Sequence, residues 1–325
     1  MNDQTITRTE NSKKVDLSEG FIEIYNQGGL GSCGVNSFCA LFNYHLVKQL
    51  GMKQPILSIG LNNCLSTCLL SCFRSPSTNT YDCEVVDNNL ANKYKHIKPF
   101  RPSRYYLYYY ACMLRQGTQD RTDAVDGGGT SILTIMNAIK TNGILKELPD
   151  EDNNYWQMEK LNDKPDKDDK IKFFYPDVVL TQDEITEANK WANVVNYSPI
   201  TKTNSAIKAE LDKQNPLLIA MKFNQGKTIL NDINKQINII KPIDIPEDTQ
   251  TFHMMVIVGY DDSDKAYRVR NSWGAGWGYG GYCKLSYDFF QEDTNNHNPT
   301  DEQQKSYSKI REIFSIKLDL EKYAI

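Results

Sequence analysis

Three side chains in this 325-residue sequence have the types and surroundings of a nucleophile and its helpers. Cys33 follows the run Gln27-Gly28-Gly29-Leu30-Gly31-Ser32 and opens an apolar stretch, so a thiol stands at the start of a helix behind a glycine loop. Unpaired main-chain N–H groups and the helix dipole favour an anion there and bias the thiol toward thiolate, its nucleophilic form. The dipole supplies only about 0.3–1 kcal/mol, so full activation needs a cationic partner. Of the four histidines, His45 falls within the same helical run, and His96 and His297 lie in charged or Asn-rich stretches. His253 instead begins an apolar strand, an element rigid enough to hold an imidazole. Asn271 follows at the end of the partner strand of the same hairpin, where its amide can accept a hydrogen bond from the ring.

The elements that must position these groups are legible as pattern. Residues 1–19 are polar and read as a mobile N-terminal arm. Residues 21–25 form a short strand or extended lead-in, and Asn26-Gln27-Gly28-Gly29 a turn. Val35, Phe38, Cys39, Leu41, Phe42, His45 and Leu46 suit a largely buried helix ending near Leu50, with Gly51 as its stop. Further helices are predicted over 104–116, rich in Tyr, over 132–139, closed by Gly143, and over 205–213. Strands are predicted over 217–223, 253–260, 267–271 and 281–287. Helices concentrate in the first half and strands in the second, which predicts an α+β protein of two lobes. The helical lobe, 20–150, carries Cys33; the β-rich lobe, 151–325, carries His253 and Asn271.

Composition narrows the function classes. With 40% apolar residues, 24% charged and a net charge of -4, the chain is an ordinary globular sequence. Acids and bases are mixed along it, which argues against nucleic acid as a partner. No apolar run reaches the roughly 18–20 residues of a membrane helix, so no membrane association is expected. Residues 1–19 lack the features of a secretory signal, and eight cysteines are too few for a disulfide scaffold. Free thiols in the cytoplasm or in a virion are the expectation. Cys64, Cys68 and Cys72 recur along one helical stripe and read as buried apolar residues, and no CxxC pair occurs. Neither a metal nor a cofactor is expected. Gly29-x-Gly31-x-x-Gly34 fits a dinucleotide fingerprint, but no acidic residue follows near 51–54 and no βαβ alternation supports it. The abundance of Asn, Lys, Ile and Tyr suits an AT-rich genome, as in some protists and large DNA viruses.

In separated blocks over about half its length, the chain resembles the papain-like cysteine proteases: the cathepsins and their compact bacterial and viral relatives. The blocks are Gln27-Gly28 through Gly31-Ser32-Cys33-Gly34; the segment 104–143, with Asp126-Gly127-Gly128-Gly129; and His253-Met254-Met255-Val256-Ile257-Val258-Gly259-Tyr260 followed by Asn271-Ser272-Trp273-Gly274. They stand in the family's order Gln, Cys, His, Asn. The resemblance implies a papain-like fold with the cleft between a helical and a β-rich lobe. It implies a cysteine-type peptidase acting on a peptide or protein through an acyl-enzyme. Cys33 is then the nucleophile, His253 the general base and acid, and Asn271 the group that orients His253. Gln27 is an oxyanion donor alongside the Cys33 amide. On the substrate side, Gly128 and Gly129 leave room for an extended backbone, and Trp273 covers the His253–Asn271 bond.

The chain also departs from the family. Leu30 stands where a disulfide cysteine is common, and Gly34 where an aromatic is. About 220 residues separate Cys33 from His253, against the roughly 130–150 typical of papain-like enzymes, so insertions are expected in 53–104, 146–200 and 224–250. Too few residues precede Cys33 for a long inhibitory propeptide, and the arm or an insertion is expected to regulate access. The rival reading is a catalytically silent or latent binding or structural protein on the same fold, its cleft occluded by the insertions. Acyl transfer by the same Cys and His is a third.

Overall fold

The computed structural model describes residues 12–54, 83–117, 127–147, 180–223, 239–291 and 300–323. Helix α1, Cys33–Gln49, is buried from Gly34 through Val47, with Asn36, Ser37, Asn43 and His45 enclosed among its apolar residues. It ends as expected, with Gly51 at a φ of 66°. After the short α2, Asn88–Lys93, come α3, Arg104–Gln116, and α4, Ile132–Asn142. Ser103 and Ser131 cap these two helices by accepting from the main-chain N–H of Tyr106 and Thr134. Gly117 closes α3 in the left-handed conformation and Gly143 closes α4 at a φ of 72°. The later helices are α5, Gln182–Asn189, α6, Asn204–Asp212, and α7, Asp301–Tyr307.

The principal sheet contains β1, Lys14–Asp16, β4, Val195–Pro199, β5, Leu217–Lys222, β6, Ile239–Ile240, β7, Phe252–Asp261, β8, Ala266–Arg270, β9, Tyr282–Ser286, and β10, Ile310–Leu318. The order is β4-β10-β5-β7-β8-β9-β6, with β1 added to β7. All neighbours are antiparallel except β6 and β9. A small separate sheet pairs β2, Met52–Lys53, with β3, Glu84–Val85. Strand alternation divides the core in two. Leu218, Ala220, Met254, Val256 and Val258 face the helices, while Leu217, Ile219, Met221, Met255 and Ile257 face a second core with Tyr267, Val269 and Leu285. The α+β expectation is met: a helical core and a β-rich core meet across β5 and β7.

Two local expectations are corrected and one open alternative is settled. The segment read as a mobile arm includes a strand: Lys14, Val15 and Asp16 pair with Asp261, Tyr260 and Gly259. Gly259 permits this, since a Cβ there would lie 2.2 Å from the Val15 carbonyl oxygen. Residues 21–25 form the extended lead-in rather than a strand, with Phe21, Ile22 and Tyr25 buried. Part of the expected insertion 146–200 belongs to the sheet: β4 pairs with β10, and Ala188, Trp191 and Val194 are buried in the helical core. Residues 1–11, the stripe Cys64, Cys68 and Cys72, and Asp126 lie outside the described residues.

Candidate active site

Cys33 is the first residue of α1 and is half-buried. The loop before it depends on glycine. A Cβ on Gly31 would meet the main chain of Gly128 and Gly129 at 2.6 Å, and Gly31 N–H donates to the Gly127 carbonyl at 2.9 Å. The segment 127–129 therefore lies directly against the loop that carries the thiol. Gly128 is half-buried and Gly129 is exposed, with open space where its Cβ would be. Gly34, where the family has an aromatic, sits at a close helix-to-strand approach. A Cβ there would lie 3.0 Å from both Ile135 Cδ1 and Met254 Sδ.

His253 lies near the start of β7 and is 5% exposed. Its Nε2 is 2.7 Å from Asn271 Oδ1, and Asn271 follows the last residue of β8, as the hairpin reading predicts. That amide's orientation is fixed by a second contact, because the main-chain N–H of Ser272, which can only donate, reaches the same oxygen at 2.7 Å. Nε2 must then carry the ring proton, which leaves Nδ1 as the imidazole's acceptor. Trp273 packs on the ring with centroids 4.4 Å apart, and Phe223 stacks at 5.8 Å. Trp277 meets Trp273 edge-on at 5.2 Å.

Gln27 is buried and tied to the same turn. Its main-chain N–H donates to the Ser272 carbonyl at 2.8 Å, and its Oε1 accepts from Ser272 Oγ at 2.7 Å. Nε2 donates to the Leu30 carbonyl at 2.8 Å, and the second hydrogen on Nε2 remains available. Arg270 holds the lead-in from below by donating to the Ile22 carbonyl at 2.9 Å. The β7–β8 hairpin thus carries His253 and Asn271 and also fixes the loop that carries Gln27.

The two titratable groups sit at the junction of the cores. Cys33 packs against the helical core, whereas Trp273 and Trp277 pack against the β-rich one. Burial pushes the Cys33 thiol up, and hydrogen-bonding main-chain groups of Met254, Gly34 and Cys33 itself pull it back down. Burial lowers His253 to about 4, against the opposing hydrogen bond to Asn271. Sequence reasoning missed Ser272, Phe223 and the Met254 main chain. Ser272 lies inside a motif already recognised, but its double link to Gln27 has no one-dimensional signature. Among the described residues, no group of three or more His, Cys, Asp or Glu side chains converges as metal ligands would, and no helix is long and apolar enough to cross a membrane.

A profile of the papain family cysteine proteases matches residues 122–302, more than half of the chain, and the chain belongs to that family. The match spans His253, Asn271 and the glycine strip, while Cys33 and Gln27 lie before it. Over 96 residues the chain is 33% identical to the gamete and mating-type specific protein A of Dictyostelium discoideum, covering 28% of this chain and 18% of that one. Over 46 residues it is 54% identical to ananain of Ananas comosus, covering 13% of each. An uncharacterised peptidase C1-like protein of Acanthamoeba polyphaga mimivirus is 22% identical over 196 residues, 60% of this chain and 56% of its own. The chain therefore spans less than two thirds of the length of these curated relatives. Among solved structures, xylellain, a cysteine protease from Xylella fastidiosa, superposes with a TM-score of 0.55 at 18% identity, covering 94% of this chain and 86% of its own, and shares the fold.

Proposed function

We propose that this chain is a peptidase that cleaves peptide bonds through a thioester on Cys33. The observation that carries the reading is the His253–Asn271 hydrogen bond of 2.7 Å, which leaves Nδ1 free to act as a base, on a residue whose neighbour Met254 hydrogen-bonds the helix-start thiol through its main chain. In the proposed cycle, Nδ1 takes the Cys33 proton and the sulfur attacks the substrate carbonyl carbon. The carbonyl electron pair becomes an oxyanion, received by the free Nε2 hydrogen of Gln27 and the main-chain N–H of Cys33. Collapse breaks the C–N bond, and the imidazolium returns its proton to the leaving amine. Water, deprotonated by His253, then attacks the thioester; the acid departs and the thiol is restored.

Electrostatics is consistent with a pair that charges together. Burial disfavours a lone thiolate and a lone imidazolium, so each charge needs the other nearby. Trp273 and Phe223 exclude water around the ring and keep the Asn271 bond strong. On the substrate side, the exposed Gly129 offers main chain for an extended peptide to pair with, beside the half-buried Gly128. Cys33 and Cys283 are free thiols, which suits a reducing compartment such as cytoplasm or a virion.

The test is labelling of the full chain by an epoxysuccinyl peptide between about pH 4 and 9, with Cys33→Ala and His253→Ala as controls. Labelling that requires both residues supports the peptidase reading. No labelling, with the chain folded, favours a silent binding protein on this fold. Accumulation of amide product with an added amine acceptor indicates acyl transfer instead.

A further inference from the structure

The N-cap of α1 is Ser32, yet its side chain makes no capping hydrogen bond. A serine at this position ordinarily accepts from a main-chain N–H of the first turn. Here its hydroxyl is engaged elsewhere: Asn36 Nδ2 lies 3.0 Å from Ser32 Oγ and 3.0 Å from the Ser32 carbonyl oxygen. The other end of that amide is held by Arg104, whose Nη1 donates to Asn36 Oδ1 at 3.1 Å. Arg104 is fully buried, lies 3.6 Å from Glu147 and covers the ring of Tyr25 at 4.0 Å. Tyr25 precedes Gln27 by two residues. The guanidinium thus lies beneath both the helix start and the loop that carries Gln27.

We propose that Arg104 and Asn36 are positioning residues that hold the Ser32 hydroxyl off the helix cap, so that the Gly34 amide stays open to the Cys33 sulfur. The inference rests on the peptidase reading of Cys33 and adds to it a reason why the helix end is left uncapped. The Ser32 main chain stands at φ -93° and ψ 13°, off the extended conformation of a capping residue, and Asn36 holds both its carbonyl and its hydroxyl; an Asn36 side chain that cannot donate lets Ser32 turn extended and take the Gly34 N–H from the site. The charged and titratable groups facing this chain of bonds are Glu147 and Tyr25 at Arg104, with Arg101 and Glu23 paired close by, and His253 next to Met254 at the thiol.

The experiment is the pH dependence of Cys33 alkylation by iodoacetamide in the full chain, followed by peptide mass spectrometry, which reads thiolate directly. Four chains are compared: wild type, Asn36→Ala, Ser32→Ala, and the double substitution. Asn36→Ala is expected to raise the alkylation midpoint by about half to one pH unit, a loss of about threefold to tenfold at acid pH. In the double substitution no hydroxyl is left to cap the helix, and the midpoint returns toward wild type. Should Asn36→Ala fail to fold, Asn36→Asp keeps the acceptor for Arg104 but not the donor. Comparing it with and without Ser32→Ala isolates the hydroxyl, since the new charge is common to both. A shift that Ser32→Ala does not reverse, or no shift in a folded variant, overturns the inference and leaves the peptidase reading standing. A wild-type midpoint in the ordinary thiol range overturns both.

Discussion

On one side of the site, His253 and Asn271 are 18 residues apart and are joined by a single hairpin. On the other, Cys33 is set by Ser32 and Asn36, and Asn36 is pinned by an arginine 68 residues away on another helix. The strand side is therefore prearranged by local structure, because two antiparallel neighbours bring their ends together in fixed register. The helix side depends on tertiary packing. Its glycine loop lies on residues 127–129, and Ser37 ties α1 to β7 by donating to the Met254 carbonyl at 3.0 Å. Misalignment should accordingly arise from nearby changes on the strand side and from distant ones on the helix side.

The comparison is broken most severely at the sulfur. Cys33→Ala should lower peptide hydrolysis by at least about 10⁴-fold, and His253→Ala by a similar amount, since the two act as a unit. A double substitution no worse than either single one, in hydrolysis assays, would show that coupling. Additive losses would mean the two sides work independently.

Gln27→Ala should cost about 10²–10³-fold in kcat with little change in KM, the signature of a donor used only in the transition state. An effect confined to KM would instead make Gln27 a substrate contact. Asn271→Ala should be milder, about 10- to 100-fold, because it releases the ring proton's partner without removing the base. Asn271→Gln recovering less than half of that loss would indicate that register, rather than amide chemistry alone, matters.

The remaining effect is on stability. Burial holds His253 at about 4 and His45, inside α1, at about 3, with Lys48 and Lys317 facing His45 adding to the effect. Both values lie below the unfolded value of about 6.5, so the unfolded chain binds more protons at acid pH and stability falls as pH drops from about 6.5 toward 4. His45→Leu should recover up to about 3 kcal/mol of that loss at pH 4. The check is the difference in thermal midpoint between pH 7 and pH 4; an equal difference in wild type and variant would refute the assignment.

Much of the strand side was legible in one dimension. The apolar run after His253, the acidic turn at 261–264 and the second strand ending at Asn271 specify a hairpin, and the hairpin brings imidazole to amide. The glycine loop and buried helix also placed Cys33 correctly. By contrast, β1 is illegible as a strand, because three residues of mixed polarity carry no period. The placement of β4 on the sheet was missed because an edge strand with Asn196, Tyr197 and Ser198 exposed has no apolar alternation to read.

The sequence by itself determined where Cys33, His253 and Asn271 stand on their elements, because each lies in a short segment whose local structure follows from nearby residues. Only the tertiary structure decided which ring nitrogen carries the proton, why Gly34 replaces an aromatic, and what holds the Ser32 hydroxyl. Those answers depend on contacts between residues far apart in the chain, such as Gly34 with Met254, Gln27 with Ser272 and Asn36 with Arg104. A buried donor or acceptor takes the partner that packing supplies, and packing is set by the whole fold rather than by neighbours in sequence.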